Sequence, residues 1–230
     1  MQKNYWIIIF FAAMLVNLTG TYLQSDLLIY CSKPLLVSSL MAWLISSSKK
    51  NTITFYKWPL TALFFSLGGD VLLIFEKVNP LFFISGLICF LISHIFYIII
   101  FNRILIEKNI PIRWWMISVV LCYYIILLST LFPFLGQMKV PVAVYGAVIS
   151  TMFFVALQLL FYKSKASRQI ILGAVLFVAS DSVLAFNKFY SSFNNAGIVI
   201  MITYAFAQFF ITQGIIKNTR EDAYAVKTLP

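Results

Sequence analysis

Apolar residues in this chain fall into long runs, and polar residues into short clusters between them. Eight runs stand out: Tyr5–Leu23, Leu27–Ser46, Phe55–Phe75, Pro80–Phe101, Trp114–Phe134, Val140–Tyr162, Gln169–Asn187 and Asn195–Ile216. Each is long enough to cross the hydrocarbon of a bilayer as a helix, which takes about 20 residues. Lipid offers the backbone no hydrogen-bond partner, so such runs must be helical. The pattern predicts an all-α, polytopic integral membrane protein with eight transmembrane helices. The connections are short, so residues 1–216 read as a single transmembrane domain. Residues 217–230 read as a polar cytoplasmic tail without fixed structure.

Two of the runs carry a carboxylate in their interior. Phe65–Lys77 reads FSLGGDVLLIFEK, and Leu176–Lys188 reads LFVASDSVLAFNK. Asp70 and Asp181 occupy matching places, 111 residues apart, and the same offset joins Gly86 to Gly197, Leu73 to Leu184 and Lys77 to Lys188. Four spans fall in each half, which predicts a parallel 4+4 internal repeat about an axis along the membrane normal. An aspartate at mid-membrane costs roughly 2.5–3.5 kcal/mol on insertion scales. Bearing that cost twice, in the same context, points to use of both carboxylates.

Composition sharpens this reading. Of 230 residues, 62% are hydrophobic and 10% charged, with a formal net charge of +10. A soluble domain carries about 25% charged residues. The basic residues lie between the apolar runs rather than in one patch, which argues for a membrane protein and against nucleic acid as partner. Thirteen Lys and Arg fall on one set of connections, beginning with Lys3, Lys49 and Lys50. Four fall on the other: Lys33, Lys77, Lys139 and Lys188. This asymmetry predicts cytoplasmic N- and C-termini, with a bacterial inner (plasma) membrane as the expected location. The first run lacks a small-residue cleavage site and reads as a retained span. Cys31, Cys89 and Cys122 lie within apolar runs and form no metal or redox motif.

Several other polar residues fall in the outer half of their spans. They are Asn17, Lys33 just before Pro34, Tyr145, Ser180, Asn187 and Lys188 at the end of span seven, and Tyr204 and Gln208 one turn apart on span eight. Polar groups inside a membrane point into the bundle, so these are expected to line or support one cavity with the aspartates. Each also has a structural reading: Asn17, Ser180 and Gln208 as bonds between helices, Lys77 and Lys188 as headgroup anchors, Lys33 as a counter-ion. The single histidine, His94, with Tyr97 one turn on, is placed by this topology in the inner half, away from the aspartates. That placement counts against a direct role. No metal-ligand spacing, nucleophile elbow or phosphate-binding loop occurs, so neither a metal nor another cofactor is expected.

In order along the chain, these motifs resemble the YhhN family, which includes the transmembrane lysoplasmalogenases. The resemblance rests on Lys33-Pro34-Leu35, Phe65 to Leu73, Gly86, Phe90, His94 and Tyr97. It continues through Tyr145, Ser150 and Met152, then Gly173 to Phe177, Ser180 to Ala185 with Lys188-Phe189, Thr203-Tyr204 and Ala207-Gln208. The resemblance implies a cofactor-free eight-helix enzyme that hydrolyses the vinyl ether bond of a lysophospholipid. Its products would be a fatty aldehyde and glycerophosphoethanolamine or glycerophosphocholine. Asp70 and Asp181 would serve as an acid–base pair, with a lysine holding the phosphate. Two other classes stay open from the residues alone: a lipid transporter or flippase, and a non-catalytic lipid-binding protein. The clustering of polar residues on one side favours a closed pocket over a path through the bilayer, and the paired acids disfavour a mere binder.

Overall fold

A computed structural model describes residues 5–47 and 53–227. Lys3, Lys49 and Lys50, which enter the charge count, lie outside the described residues, as does the end of the tail beyond Lys227. Among the described residues, eight helices are long and apolar enough to cross a membrane. They are α1 (Tyr5–Tyr22), α2 (Asp26–Ser47), α3 (Ile53–Ile74), α4 (Pro80–Glu107), α5 (Met116–Leu131), α6 (Lys139–Gln158), α7 (Lys165–Ala185) and α8 (Ala196–Lys227). Short 3-10 turns flank α6, and α7 runs on into a π-helical turn, Phe186–Tyr190. Two boundaries differ from expectation. Helix α4 continues past Phe101 to Glu107. Helix α8 continues through Lys227, so the stretch after Ile216 prolongs the helix where no fixed structure was expected, and Asn218 and Thr219 are buried.

Local chemistry fixes the ends of the helices that carry the site. The Asn79 side chain accepts the Leu81 N–H at 2.9 Å, and Pro80 opens α4 where its missing N–H is harmless. Asn109 takes a left-handed φ of 51° and closes α4, with the Ile110 N–H bonded back to the Leu105 carbonyl. Ser164 caps α7 by accepting the Ser167 N–H at 3.0 Å.

Successive helices alternate in direction, so the α1–α2, α3–α4, α5–α6 and α7–α8 turns share one end of the bundle. Helix α8 is the most buried span and packs on α1, α2 and α7; α5 is the least buried, packing chiefly on α6. Between α7 and α8 the backbones touch: a Cβ on Gly173 would lie 2.8 Å from the Ala207 carbonyl oxygen, and one on Gly214 would lie 2.9 Å from that of Ala166. The outward side chains include Ile8, Leu15, Phe64, Ile88, Leu121 and Ile126. Exposed Tyr22, Trp114, Trp115 and Tyr190 sit at helix ends, the level of a membrane–water interface. The chain is an integral membrane protein in architecture.

Candidate functional site

A cavity of about 660 Å³ opens at the end bearing the α1–α2, α3–α4 and α7–α8 turns. Both aspartates line it. So do Asn17, Lys33, Lys77, Tyr145, Ser180, Asn187 and Tyr204. Side chains from α1, α2, α3, α6, α7 and α8 therefore converge on one space, with Leu87 and Phe90 of α4 closing its apolar wall.

Asp70 is buried, with 2% of its side chain exposed. Its Oδ2 accepts the Tyr204 hydroxyl at 2.7 Å, and Lys33 Nζ stands 3.8 Å from its Oδ1. Asp70 is brought here by close packing of α3 on α4. A Cβ on the preceding Gly69 would fall 2.6 Å from the Phe90 ring, so any larger residue would have to push that ring aside. Phe90 in turn meets the Tyr204 ring edge to face at 5.8 Å. Asp181 keeps 15% of its side chain exposed to the cavity. Its Oδ2 accepts a hydrogen bond from the Tyr145 hydroxyl, and His94 Nε2 lies 3.5 Å away.

The position of His94 corrects the expectation from sequence. It is fully buried beside Asp181, with Nε2 3.0 Å from the Tyr145 hydroxyl. Three features close the gap. Helix α4 is 28 residues long, which puts His94 at its middle rather than in its inner half. The π-helical turn after Ala185 sets Asp181 deeper than a helix ending at Asn187 would. Side chains also lean toward their helix N-terminus. On antiparallel α4 and α7 that lean carries His94 and Asp181 toward each other.

Hydrogen counting fixes the direction of these bonds. Tyr145 has one hydroxyl hydrogen, given to Asp181, so His94 Nε2–H donates to the Tyr145 oxygen. His94 Nδ1 has no hydrogen-bond partner among the described residues. Asp70 repeats the arrangement. Tyr97 donates to Gln208 Oε1 at 2.6 Å, which turns Gln208 Nε2 toward Ser66 at 2.9 Å and the Tyr204 oxygen at 3.4 Å. Ser66 bonds Ser93 at 2.8 Å. Each carboxylate thus receives a tyrosine hydroxyl, and each tyrosine receives an N–H from behind. Gln208 and Tyr97 do not line the cavity but stand behind it.

The remaining candidates divide. Asn17 donates to Ser32 at 2.9 Å, Ser180 to the Ile200 carbonyl at 3.0 Å, and Asn187 accepts the Phe193 N–H at 3.3 Å. These bonds hold helices and turns together at the cavity wall. Lys188 lies outside the cavity lining, on the exposed rim, paired with Glu76 at 3.0 Å and 4.7 Å above the Phe83 ring. Glu76 and Asp26, which also line the mouth, were not singled out from sequence. The offset of 111 that carries Lys77 to Lys188 carries Glu76 to Asn187 and Asp26 to Gln137, and these mismatches were the available signal.

The chain matches known proteins over most of its length. It is 32% identical over 187 residues to lysoplasmalogenase TMEM86B of Rattus norvegicus, covering 81% of this chain and 71% of the rat protein. It is 31% identical over 192 residues to lysoplasmalogenase TMEM86B of Mus musculus, covering 83% of this chain and 75% of the mouse protein. No solved structure matches it significantly. The sequence pattern of the YhhN family matches residues 28–215, a stretch that holds every side chain in the two hydrogen-bonded aspartate clusters, and the chain belongs to that family.

Proposed function

We propose that this protein is a lysoplasmalogenase: a hydrolase that cleaves the vinyl ether of a lysophospholipid with Asp70 and Asp181 as its acid and base. The observation that carries the reading is the joining of two carboxylates, each held by a tyrosine hydroxyl, in one cavity. The relatives named as lysoplasmalogenases support it.

The chemistry needs one proton donor and one acceptor. One carboxyl group protonates the outer vinyl carbon, and the π electrons of the double bond pass to that C–H bond. Positive charge spreads over the inner carbon and the ether oxygen, where the carboxylates stabilise it. The other carboxylate takes a proton from water as the water oxygen bonds to the inner carbon, giving a hemiacetal. That carboxyl group then returns its proton to the ether oxygen while the carbon–oxygen bond breaks. The hemiacetal hydroxyl proton restores the first acid, leaving an aldehyde and a glycerol hydroxyl. Lys33, beside Asp70, and the mixed charges of Glu76 and Lys77 at the mouth suit a zwitterionic glycerophospho head group.

The test is release of fatty aldehyde from a lysoplasmalogen by purified protein in detergent. Asp70→Asn and Asp181→Asn keep the side-chain shape and should each lower turnover by roughly 10²–10⁴-fold, the usual worth of general acid–base catalysis. The two act as a unit, so the double variant should be little worse than either alone. A folded Asp181→Asn protein with near-parental aldehyde release would sink the mechanism.

A further inference from the structure

Behind Asp181 and Tyr145, on the side away from the main cavity, lies a narrow apolar slot of about 40 Å³ between α5, α6 and α7. Leu127, Leu128 and Leu131 of α5 form one wall, and Gly146 and Ile149 of α6 the other. Leu128 also lines a shallow surface groove of about 420 Å³ with Ile125, Phe132 and Pro133, on the lipid-facing side of α5. Three spaces therefore adjoin one another. The main cavity and the slot share Tyr145 and Asp181; the slot and the groove share Leu128.

We infer that this slot is the binding site for the hydrocarbon chain of the substrate lipid. The inference rests on the function proposed above and extends it. The substrate has a polar head, then a reacting ether, then an apolar chain. The protein offers a polar-mouthed cavity, then a carboxylate with its tyrosine, then an apolar slot that borders the lipid-facing groove. Laying one on the other puts the vinyl carbons beside Asp181. Helix α5 suits a movable wall, with only Met116, Val120 and Leu131 buried. Two tyrosines fasten it: Tyr123 bonds Ser182 at 2.7 Å and Tyr124 donates to the Ala143 carbonyl at 3.0 Å. Gly146 sets the width, since a Cβ there would already stand 3.0 Å from the Tyr124 ring.

The experiment uses the full-length protein and a non-hydrolysable ether lysophosphatidylethanolamine with a diazirine at the chain end. Photolabelling should fall on α5 and α6 around Leu128 and Ile149. Excess lysoplasmalogen should compete it away, and a diacyl phospholipid should not. Labelling on Leu87, Phe90 or Ile200 would place the chain in the main cavity and overturn the inference. Labelling that the diacyl lipid removes equally would mark an ordinary bilayer-lipid contact and overturn it too. In parallel, Gly146→Val should lower the ratio of long-chain to short-chain turnover by roughly tenfold or more, the scale of an overpacking penalty. An unchanged ratio in a folded variant also counts against it. Absence of aldehyde release from the parent would remove the proposed reaction, while the labelling pattern would still decide where the chain lies.

Discussion

At the scale of single residues, the two aspartates depend on hydrogens supplied from behind them. Tyr204 can give its one hydrogen to Asp70 because Gln208 donates to its oxygen, and Gln208 is oriented by Tyr97. Gln208 is therefore a positioning residue. Gln208→Leu should leave the Tyr97 hydroxyl without its buried acceptor and let the Tyr204 ring turn. A lost buried partner costs about 1–3 kcal/mol. We expect a fall in kcat larger than any change in KM, and the loss should not add to that of Tyr204→Phe. Full additivity of the two would show that Gln208 acts elsewhere. His94 is open to a sharper test. Replacing it with glutamine keeps an N–H to offer Tyr145 and should restore part of the turnover that His94→Leu loses. Equal activity in the two variants would assign His94 to packing alone. Sequence patterns located the carboxylates because charge inside an apolar run is conspicuous. The tyrosine partners were harder to pair: Tyr145 reaches Asp181 from the neighbouring helix, but Tyr204 reaches Asp70 from a helix that sequence distance alone does not place beside it. His94 was misplaced because its depth depends on where α4 ends and which way side chains lean.

At the scale of helices, close approach at two crossings sets the site. A Cβ on Gly69 meets the Phe90 side chain, whereas one on Gly173 meets the backbone of Ala207 and Ile211 as well as the Ile211 side chain. A ring can tilt and a carbonyl cannot. Gly69→Ala should therefore cost about 1–3 kcal/mol, the usual range for overpacking, and should disturb Tyr204 through Phe90. A second change, Phe90→Leu, should recover part of the thermal stability in detergent. Gly173→Ala should destabilise more and resist rescue by any side-chain change on α8. Equal melting temperatures for the two single variants would refute this ranking. The helices themselves were legible, because each apolar run is about as long as the hydrocarbon core of a bilayer is thick. The π-helical end of α7 and the prolongation of α8 were not, since both depend on tertiary contacts rather than on the apolar pattern.

At the scale of the molecule, the uneven distribution of Lys and Arg predicts which end faces the cytoplasm. Single cysteines beside Lys108 and Lys165 should react with a membrane-impermeant thiol reagent only from the cytoplasmic side, and those beside Lys77 and Lys139 only from the other. Labelling of the Lys77 turn from the cytoplasm would invert the arrangement. The offset of 111 residues also acquires a physical counterpart. It joins Tyr97 to Gln208, and these two side chains are hydrogen-bonded to each other. If the halves are related by a two-fold, a residue meets its own counterpart only on the axis, so this bond would mark it. Such an axis would exchange the contacts of α2 with α8 for those of α6 with α4, and both are present; the packing of α1 on α8 has no comparable counterpart between α5 and α4.

The pairing of two carboxylates in a cavity with an apolar wall bears on inhibition. In its depth the cavity sets Asp70 and Asp181 against one ammonium group, that of Lys33. A single-chain amphiphile with a permanent cation where the substrate develops its positive charge would meet both carboxylates without being consumed. Long-chain quaternary amines built on a glycerophospho head should thus behave as tight, slowly released competitive blockers, and neutral ethers of the same shape should compete far more weakly.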